Sequence, residues 1–427
     1  EIAQCLVGSE MCIRDRITPM DDLHGNLRGI IEHLDYIKDL GIDVVYLTPI
    51  FKSNSCHKYD TIDYYQVDPS FGTTEDLKEL VQKSHERGMK VVLDAVYNHT
   101  GREFFAFQDI LEKGEKSKYL DWYFIDELPP RGEWGEIPNF KCFGYYGGMP
   151  KLNLKNPEVE KYITDVACYW IKECDIDGWR LDVGDEISHF FWKNFRKAVK
   201  AVKKDLLIIG EIWHYAGDFL EGDEWDTVMN YPFYLNLIDL LADEKITVSQ
   251  FVQNLGYLKG RLNKNCYPLM WNLIDSHDTA RFLHLCNDNK KKQHLAAAFQ
   301  LLLPGMPMIY YGDEYAMPGA NDPDCRRGMY WDEEYQDKEM YEWYKRLIQV
   351  RKSHACIVEG ELAGSVTEDE EGTIVLIRKN GEETIAMIFN CSSSAKKFNE
   401  YTQKYNLLTE NTFDGNVEGF DAAVIVL

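Results

Sequence analysis

No uninterrupted apolar run in this 427-residue chain reaches the roughly 18 residues that a membrane-spanning helix needs. The nearest stretch, Leu295–Tyr311, is broken by Gln300, Pro304, Gly305 and Pro307 and reads as a helix, a turn and a strand. Positive charge is scarce. Lys and Arg total 47 against 71 Asp and Glu, a formal net charge of -24. That sign repels phosphate backbones and excludes a nucleic-acid binder, whereas a neutral ligand fits. Paired CxxC units are missing. The 11 cysteines are odd in number and dispersed, which argues against a disulfide framework or a thiolate metal site and for reduced thiols in the cytoplasm. Internal repeats, low-complexity tracts and a signal-peptide layout are also lacking.

What remains is ordinary globular material. Hydrophobic residues make up 45% and charged residues 28% of the chain, enough for two to three domains with substantial cores. The start is unusual. Leu6–Asp15 (LVGSEMCIRD) reads as an in-frame translation of a transposon adapter used for sequencing libraries, so residues 1–16 are set aside as a non-native scar.

From Ile30 the pattern alternates. IIEHLDYIKDLG has helical spacing and stops at Gly41, then VVYLTPI reads as a buried strand. EDLKELVQKSHERG and KVVLDAV repeat the unit, and further strands are expected at DGWRLDV, DLLIIGEI, DTVMNY, PLMWNLIDS and MPMIYYG. Such alternation predicts parallel strands with crossover helices. Seven strands are countable, and an eighth would have to lie in the segment set aside. Between Val96 and a helix near Pro157 runs an excursion rich in Tyr, Trp, Phe, Gly and Pro, far beyond an ordinary loop of about 12–15 residues. After the helix Met340–Lys352, stretches such as TIVLIRKNG, EETIAMIFN and AAVIVL read as an all-β domain.

Four segments place polar or charged residues at or just beyond apolar strands: DAVYNH (94–99), GWRLDV (178–183), GEIWH (210–214) and IDSHD (274–278). Any one could be a structural ion pair. Four in sequence order on successive strands point to one shared site, because a buried carboxylate is costly without a partner or a task. Arg180 and Asp182 lie two residues apart on a strand, hence on one face, and the fixed positive charge is expected to keep Asp182 ionised.

Together these four segments resemble the strand-end regions of glycoside hydrolase family 13, the α-amylase family, from about Asn26 onward. The resemblance implies an α/β fold: a (β/α)₈ TIM barrel whose first strand is missing or replaced, with an inserted loop-rich domain after strand 3 and a C-terminal antiparallel β-sandwich domain. The corresponding boundaries are 17–99 and 158–353 for the barrel, 100–157 for the insertion and 354–427 for the C-terminal domain. It further implies Asp182 as nucleophile, Glu211 as general acid/base and Asp278 as a third carboxylate holding sugar hydroxyls. A retaining hydrolase needs such a nucleophile and acid about 5–5.5 Å apart. By the same resemblance His99 and His277 hydrogen-bond the sugar, and Tyr59 stacks on it, with Arg180 as charge partner. Asp322 and Arg326, in NDPDCRR, grip the next sugar. Asp94 and Asn98 brace the site.

MPKLN (149–153), HKYDTIDYYQVDPSFGT and GEIWH followed by DTVMNYPF look like the neopullulanase, cyclomaltodextrinase and maltogenic amylase group. The expected activity is retaining hydrolysis of α-1,4 and secondarily α-1,6 glucosidic bonds in cyclodextrins, maltooligosaccharides or pullulan. Two alternatives stay open: an α-glucan transglycosylase, and a non-catalytic relative such as an amino-acid-transporter heavy chain. The chain departs from the group's VANE by reading VGDE (183–186), which adds Asp185 beside the acceptor side. Trp213 shapes the acceptor subsite or packs. No cofactor and no metal is expected, with calcium left open. Nor is a nucleic-acid or membrane partner expected. The group's N-terminal dimerisation domain is not in the sequence, so no oligomeric state is assigned.

Overall fold

The computed structural model describes residues 25–132, 136–263 and 265–427, together with the backbone of 3–6. Eight parallel strands form the barrel: β1 (Ala3–Leu6), β2 (Val44–Leu47), β3 (Lys90–Ala95), β4 (Gly178–Leu181), β5 (Leu207–Gly210), β6 (Thr227–Val228), β7 (Trp271–Asn272) and β8 (Met306–Tyr310). Each pairs with its neighbour in chain order, β1 also pairs with β8, and the Met229–Trp271 bridge joins β6 to β7 and closes the ring.

The first-strand position, expected to be missing or replaced, is occupied from within the segment set aside. Ala3–Leu6 run parallel to both Val44–Leu47 and Met308–Tyr310, filling the first-strand position. The physical reason is closure, since without that strand β2 and β8 would each present an unpaired edge. The rest of the set-aside segment lies outside the described residues.

Most residues of the described strands β2–β8 are buried, as in β2, where all four are inaccessible. Helices cover them as the periodicity predicts. The helix Thr74–Glu86 buries Leu77, Leu80, Val81 and Ser84 at i, i+3, i+4 and i+7, and starts with a Thr73–Asp76 capping box. Gly41 ends the helix Leu34–Leu40 in the left-handed conformation (φ 99°), where a side chain would be strained.

Among its described residues the insertion after β3 holds one α-helix, Phe105–Lys113, short 3-10 segments, and turns pinned by isolated bridges such as His99–Lys151 and Tyr123–Leu152. It therefore hangs over the C-terminal ends of the strands. The expected helix near Met340–Lys352 spans Lys338–Ser353. Beyond it, an antiparallel six-stranded sheet with a two-stranded partner makes the C-terminal domain. One face of this sheet packs Phe389 on Phe299 of the barrel helix Lys290–Leu302 (ring centroids 4.2 Å apart), and the other covers Tyr401, Phe413 and Val417. No helix among the described residues is long and apolar enough to cross a membrane.

Candidate active site

Register assembles the site. In the β3–β4 ladder Asp94 lies opposite Arg180, and alternation turns both side chains to the barrel interior. The ladder continues beyond the strands: the Asp182 N–H donates to Ala95 O (3.1 Å) and the Glu211 N–H to Leu181 O (3.0 Å), which sets Asp182 and Glu211 side by side.

Arg180 is fully buried at the centre. Its Nη1 donates to Asp182 Oδ1 (2.9 Å) and to both Asp94 oxygens (3.1 Å each), and its Nε approaches Met229 Sδ (3.4 Å). Nη2 lies 3.0 Å from Glu211 Oε2, an ion pair by distance whose angle falls short of a hydrogen bond, and 3.8 Å from Asp278. One guanidinium thus faces four carboxyl groups. The four compete for its charge.

Arg180 favours the ionised form of Asp182, as their spacing implied, and burial works against it. Burial pushes the Asp182 carboxyl well above the usual range. Arg180 opposes this, while the charges of Glu211, Asp94 and Asp278 reinforce it. Burial likewise raises Asp278, against Arg180 and Arg326, and lifts Asp94 to about 6. Desolvation inside the closed barrel outweighs a single shared cation.

Glu211 is held at both oxygens. Oε2 accepts from the Val183 N–H (2.9 Å) and Oε1 from Trp213 Nε1 (3.0 Å). Val183 reaches it from the left-handed region (φ 46°, ψ 45°), an uncommon conformation for a β-branched residue and one that stores strain directly after Asp182. Behind Glu211, Gly210 leaves room for the Trp225 ring, which a Cβ there would meet at 2.2 Å. Trp213 stacks on Tyr231 (3.9 Å, 15°) while staying 40% exposed, so it both packs and presents a face. Trp213→Phe keeps the stack but removes the donor to Glu211. A fall in kcat of about tenfold is expected, the cost of one hydrogen bond that orients the catalytic carboxyl. Unchanged steady-state kinetics would refute this role.

His277 Nε2 lies 3.2 Å from Asp278 Oδ2 and bonds the Tyr59 hydroxyl, whose ring is parallel to the imidazole (5.7 Å, 8°). The Tyr59 hydroxyl also donates to Asp94 (3.2 Å). His99 donates from Nε2 to Tyr59 O (3.0 Å) and stacks on Phe143 of the insertion (5.1 Å, 17°). Arg326 pairs with Asp322 (3.1 Å), donates to His277 O (2.9 Å) and lies 3.7 Å from Asp278, while Asp322 stays 54% exposed at the rim. Asp182, Glu211, Asp278, Tyr59, His99, Arg180, Trp213, His277, Asp322 and Arg326 therefore fall within one connected network.

Burial lowers His99 to about 4 and His277 well below its usual value. A depressed histidine contributes stability above its unfolded pKa near 6.5, and that stability is lost as pH falls through the folded value. For His99 this is about 3 kcal/mol. Asp94 has the opposite sign, since its raised carboxyl contributes stability at low pH that is lost as pH rises through about 6. His99→Gln removes only the first effect. Its melting temperature is expected to fall less than the wild type's between about pH 6.5 and pH 4, as scanning calorimetry would read.

Two contributors escaped the sequence reading, and a third, Asp185, was noticed without its partner. Tyr46 donates to Asp94 (2.6 Å) from within a strand whose unbroken burial gave no sign of a polar role. Lys151 of MPKLN bonds Asn98 and pairs with Glu186 (2.7 Å), tying the insertion to the segment after Asp182. The motif drew notice, but its lysine did not. Asp185 pairs with His214 (3.1 Å) at the mouth. Among the described residues, no group of three or more His, Cys, Asp or Glu side chains is arranged to hold a metal ion.

Comparison with known proteins agrees with this architecture. The model of the alpha amylase catalytic domain matches residues 14–336. A cyclomaltodextrinase of Geobacillus thermopakistaniensis (strain MAS1) is 48% identical over 378 residues, covering 88% of this chain and 64% of that protein. A maltogenic alpha-amylase of Bacillus acidopullulyticus is 45% identical over 382 residues, again 88% and 64%. The chain thus spans just under two thirds of the length of these two curated relatives. The ligand-free structure of a cyclic alpha-maltosyl-(1→6)-maltose hydrolase from Arthrobacter globiformis superposes with a TM-score of 0.90 at 32% identity, covering 100% of this chain and 98% of that one. By the span of the match and the identities, the chain belongs to the alpha-amylase family.

Proposed function

We propose that the protein is a retaining α-glucan hydrolase cleaving α-1,4 and, secondarily, α-1,6 glucosidic bonds in cyclodextrins, maltooligosaccharides or pullulan. The observation that carries this reading is the pair Asp182 and Glu211, adjacent on neighbouring strand ends and joined through Arg180. Relatives named cyclomaltodextrinase, maltogenic alpha-amylase and neopullulanase support the substrate class.

In this scheme Asp182 attacks the anomeric carbon and forms a glycosyl-enzyme while Glu211 protonates the departing oxygen. Water, deprotonated by Glu211, then releases the sugar. One of the contacts now made to Glu211 must give way when the glycosidic oxygen arrives. Asp278, His277 and His99 would hold the ring hydroxyls, Tyr59 the sugar's apolar face, and Asp322 with Arg326 the neighbouring sugar. The scheme uses side chains and water alone, and we place it in the cytoplasm. Dispersed free cysteines and a Bacillus subtilis relative named intracellular maltogenic amylase support that placement.

Transfer to a second sugar is the competing outcome. It is favoured by the half-exposed Trp213 face beside Glu211. Products from β-cyclodextrin, pullulan and starch decide between these. The expected result is faster turnover of β-cyclodextrin than of starch, with the released sugar initially in the α configuration by NMR. An initially β product would overturn retention, and longer oligosaccharides accumulating at high maltotriose would favour transfer.

A further inference from the structure

Behind the loop that carries His277 and Asp278 lies a second group of buried acids that the proposed chemistry does not use. Asp275 and Asp313 are both inaccessible, and their carboxyl groups lie against each other. Asp275 Oδ2 accepts the Phe282 N–H (2.7 Å), and Asp313 Oδ1 accepts Arg281 Nη1 (3.2 Å). The oxygens left over, Asp275 Oδ1 and Asp313 Oδ2, meet no N–H or O–H donor among the described residues. Two buried carboxyl groups in contact repel each other when both are ionised, and a proton held between them relieves that repulsion and serves both free oxygens.

The neighbours do not remove that need. Among the described residues Arg281 is the cation that reaches the pair, and it also donates to Tyr311 O and Cys325 O. Glu314 adds a further acid, bonded by Tyr36 of the helix Leu34–Leu40. Tyr344 faces the pair from Lys338–Ser353, Tyr234 faces Asp275 from Tyr231–Leu237, and Gln293 donates to Asp313 O (3.0 Å) from Lys290–Leu302.

The position matters because Asp275 closes a loop. Its bond to Phe282 N joins the two ends of residues 275–282, within which Ser276 N donates to Thr279 Oγ1 (2.9 Å). His277 and Asp278 project from this closed loop, and Asp313 ties it to the end of β8. We propose that Asp275 and Asp313 share one proton as a positioning pair that holds the His277–Asp278 loop against Asp182 and Glu211.

The kinetic part of the test rests on the hydrolase reading; the spectroscopic part does not. Asp313→Asn replaces the shared proton with a permanent N–H donor, whereas Asp313→Leu leaves Asp275 buried without a partner. Infrared spectra of the full chain at neutral pH are expected to show a protonated-carboxyl band component that Asp313→Asn removes and that added β-cyclodextrin does not shift. Asp313→Asn is expected to keep kcat on β-cyclodextrin within about threefold at neutral pH, and Asp313→Leu to lose about tenfold or more with a raised KM. As pH rises the wild type gives up the shared proton and its stability falls, so the Asn variant is expected to hold its melting temperature further into alkali.

An unchanged carboxyl band in Asp313→Asn would overturn the proposal, as would Asn and Leu variants equally impaired at every pH, the mark of a merely structural role. Should Asp313→Asn fail to fold, Asp275→Asn reads the same quantities, because its amide oxygen still accepts Phe282 N–H. Absence of wild-type turnover with the band and alkaline shift intact would refute the hydrolase reading and leave the pair standing.

Discussion

Replacing Asp182 with Asn is expected to lower turnover of β-cyclodextrin by about 10⁴-fold or more while leaving the fold in place. The side chain is nearly isosteric and its contact with Arg180 Nη1 (2.9 Å) involves one oxygen, which Asn retains. What disappears is the nucleophile and with it the glycosyl-enzyme. Glu211→Gln is the companion, expected to cost about 10² to 10⁴-fold on glucans, whose leaving oxygen needs a proton. A glucosyl fluoride needs none, so Glu211→Gln should recover the first step on that substrate and Asp182→Asn should not. Undiminished turnover in Asp182→Asn would remove the nucleophile assignment, and failure of the fluoride to separate the variants would remove the division of roles.

Arg180→Met is expected to lose both activity and about 3–5 kcal/mol of folding stability, the range found when one partner of a buried ion pair is removed. The magnitude follows from position. The guanidinium is wholly buried and lies within 3.8 Å of four carboxyl groups, of which only Asp278 would keep a cation nearby, Arg326 at 3.7 Å. The deficit has a sign in pH. Without the cation the carboxyl groups are raised further, and a raised acid stabilises the folded state at low pH and loses that contribution as pH rises. The difference in melting temperature from the wild type should therefore shrink on acidification. Arg180→Lys keeps the charge but cannot span two carboxylates with separate nitrogens, so it should fold better than Met and remain slow. A Met variant as stable as the wild type at neutral pH would show that the carboxyls do not depend on Arg180.

The barrel was legible because its signals are local. Helical spacing in IIEHLDYIKDLG, the stop at Gly41 and the unbroken apolar run of VVYLTPI each predict an element that is present. Asp94, Arg180, Asp182 and Glu211 could be grouped because charged residues stood out at the ends of apolar strands, and a spacing of two puts Arg180 and Asp182 on one face. Tyr46 was hidden for the opposite reason. A tyrosine in an all-buried strand counts as core until the register shows its hydroxyl on Asp94. Lys151 meets Glu186 across 35 positions in sequence, and Asp275 meets Asp313 across 38, distances at which composition and periodicity carry no information.

The sequence by itself determined which residues could do chemistry and on which strand ends they sit, because period, charge and strand boundaries are properties of neighbours along the chain. Only the tertiary structure decided what those residues experience. Closing eight strands, with Ala3–Leu6 among them, takes Asp94, Asp182 and Asp278 out of water together, and that desolvation, rather than the nearby arginine, sets the direction in which their carboxyls shift. Burial is a property of the whole enclosure, so no local pattern could report it.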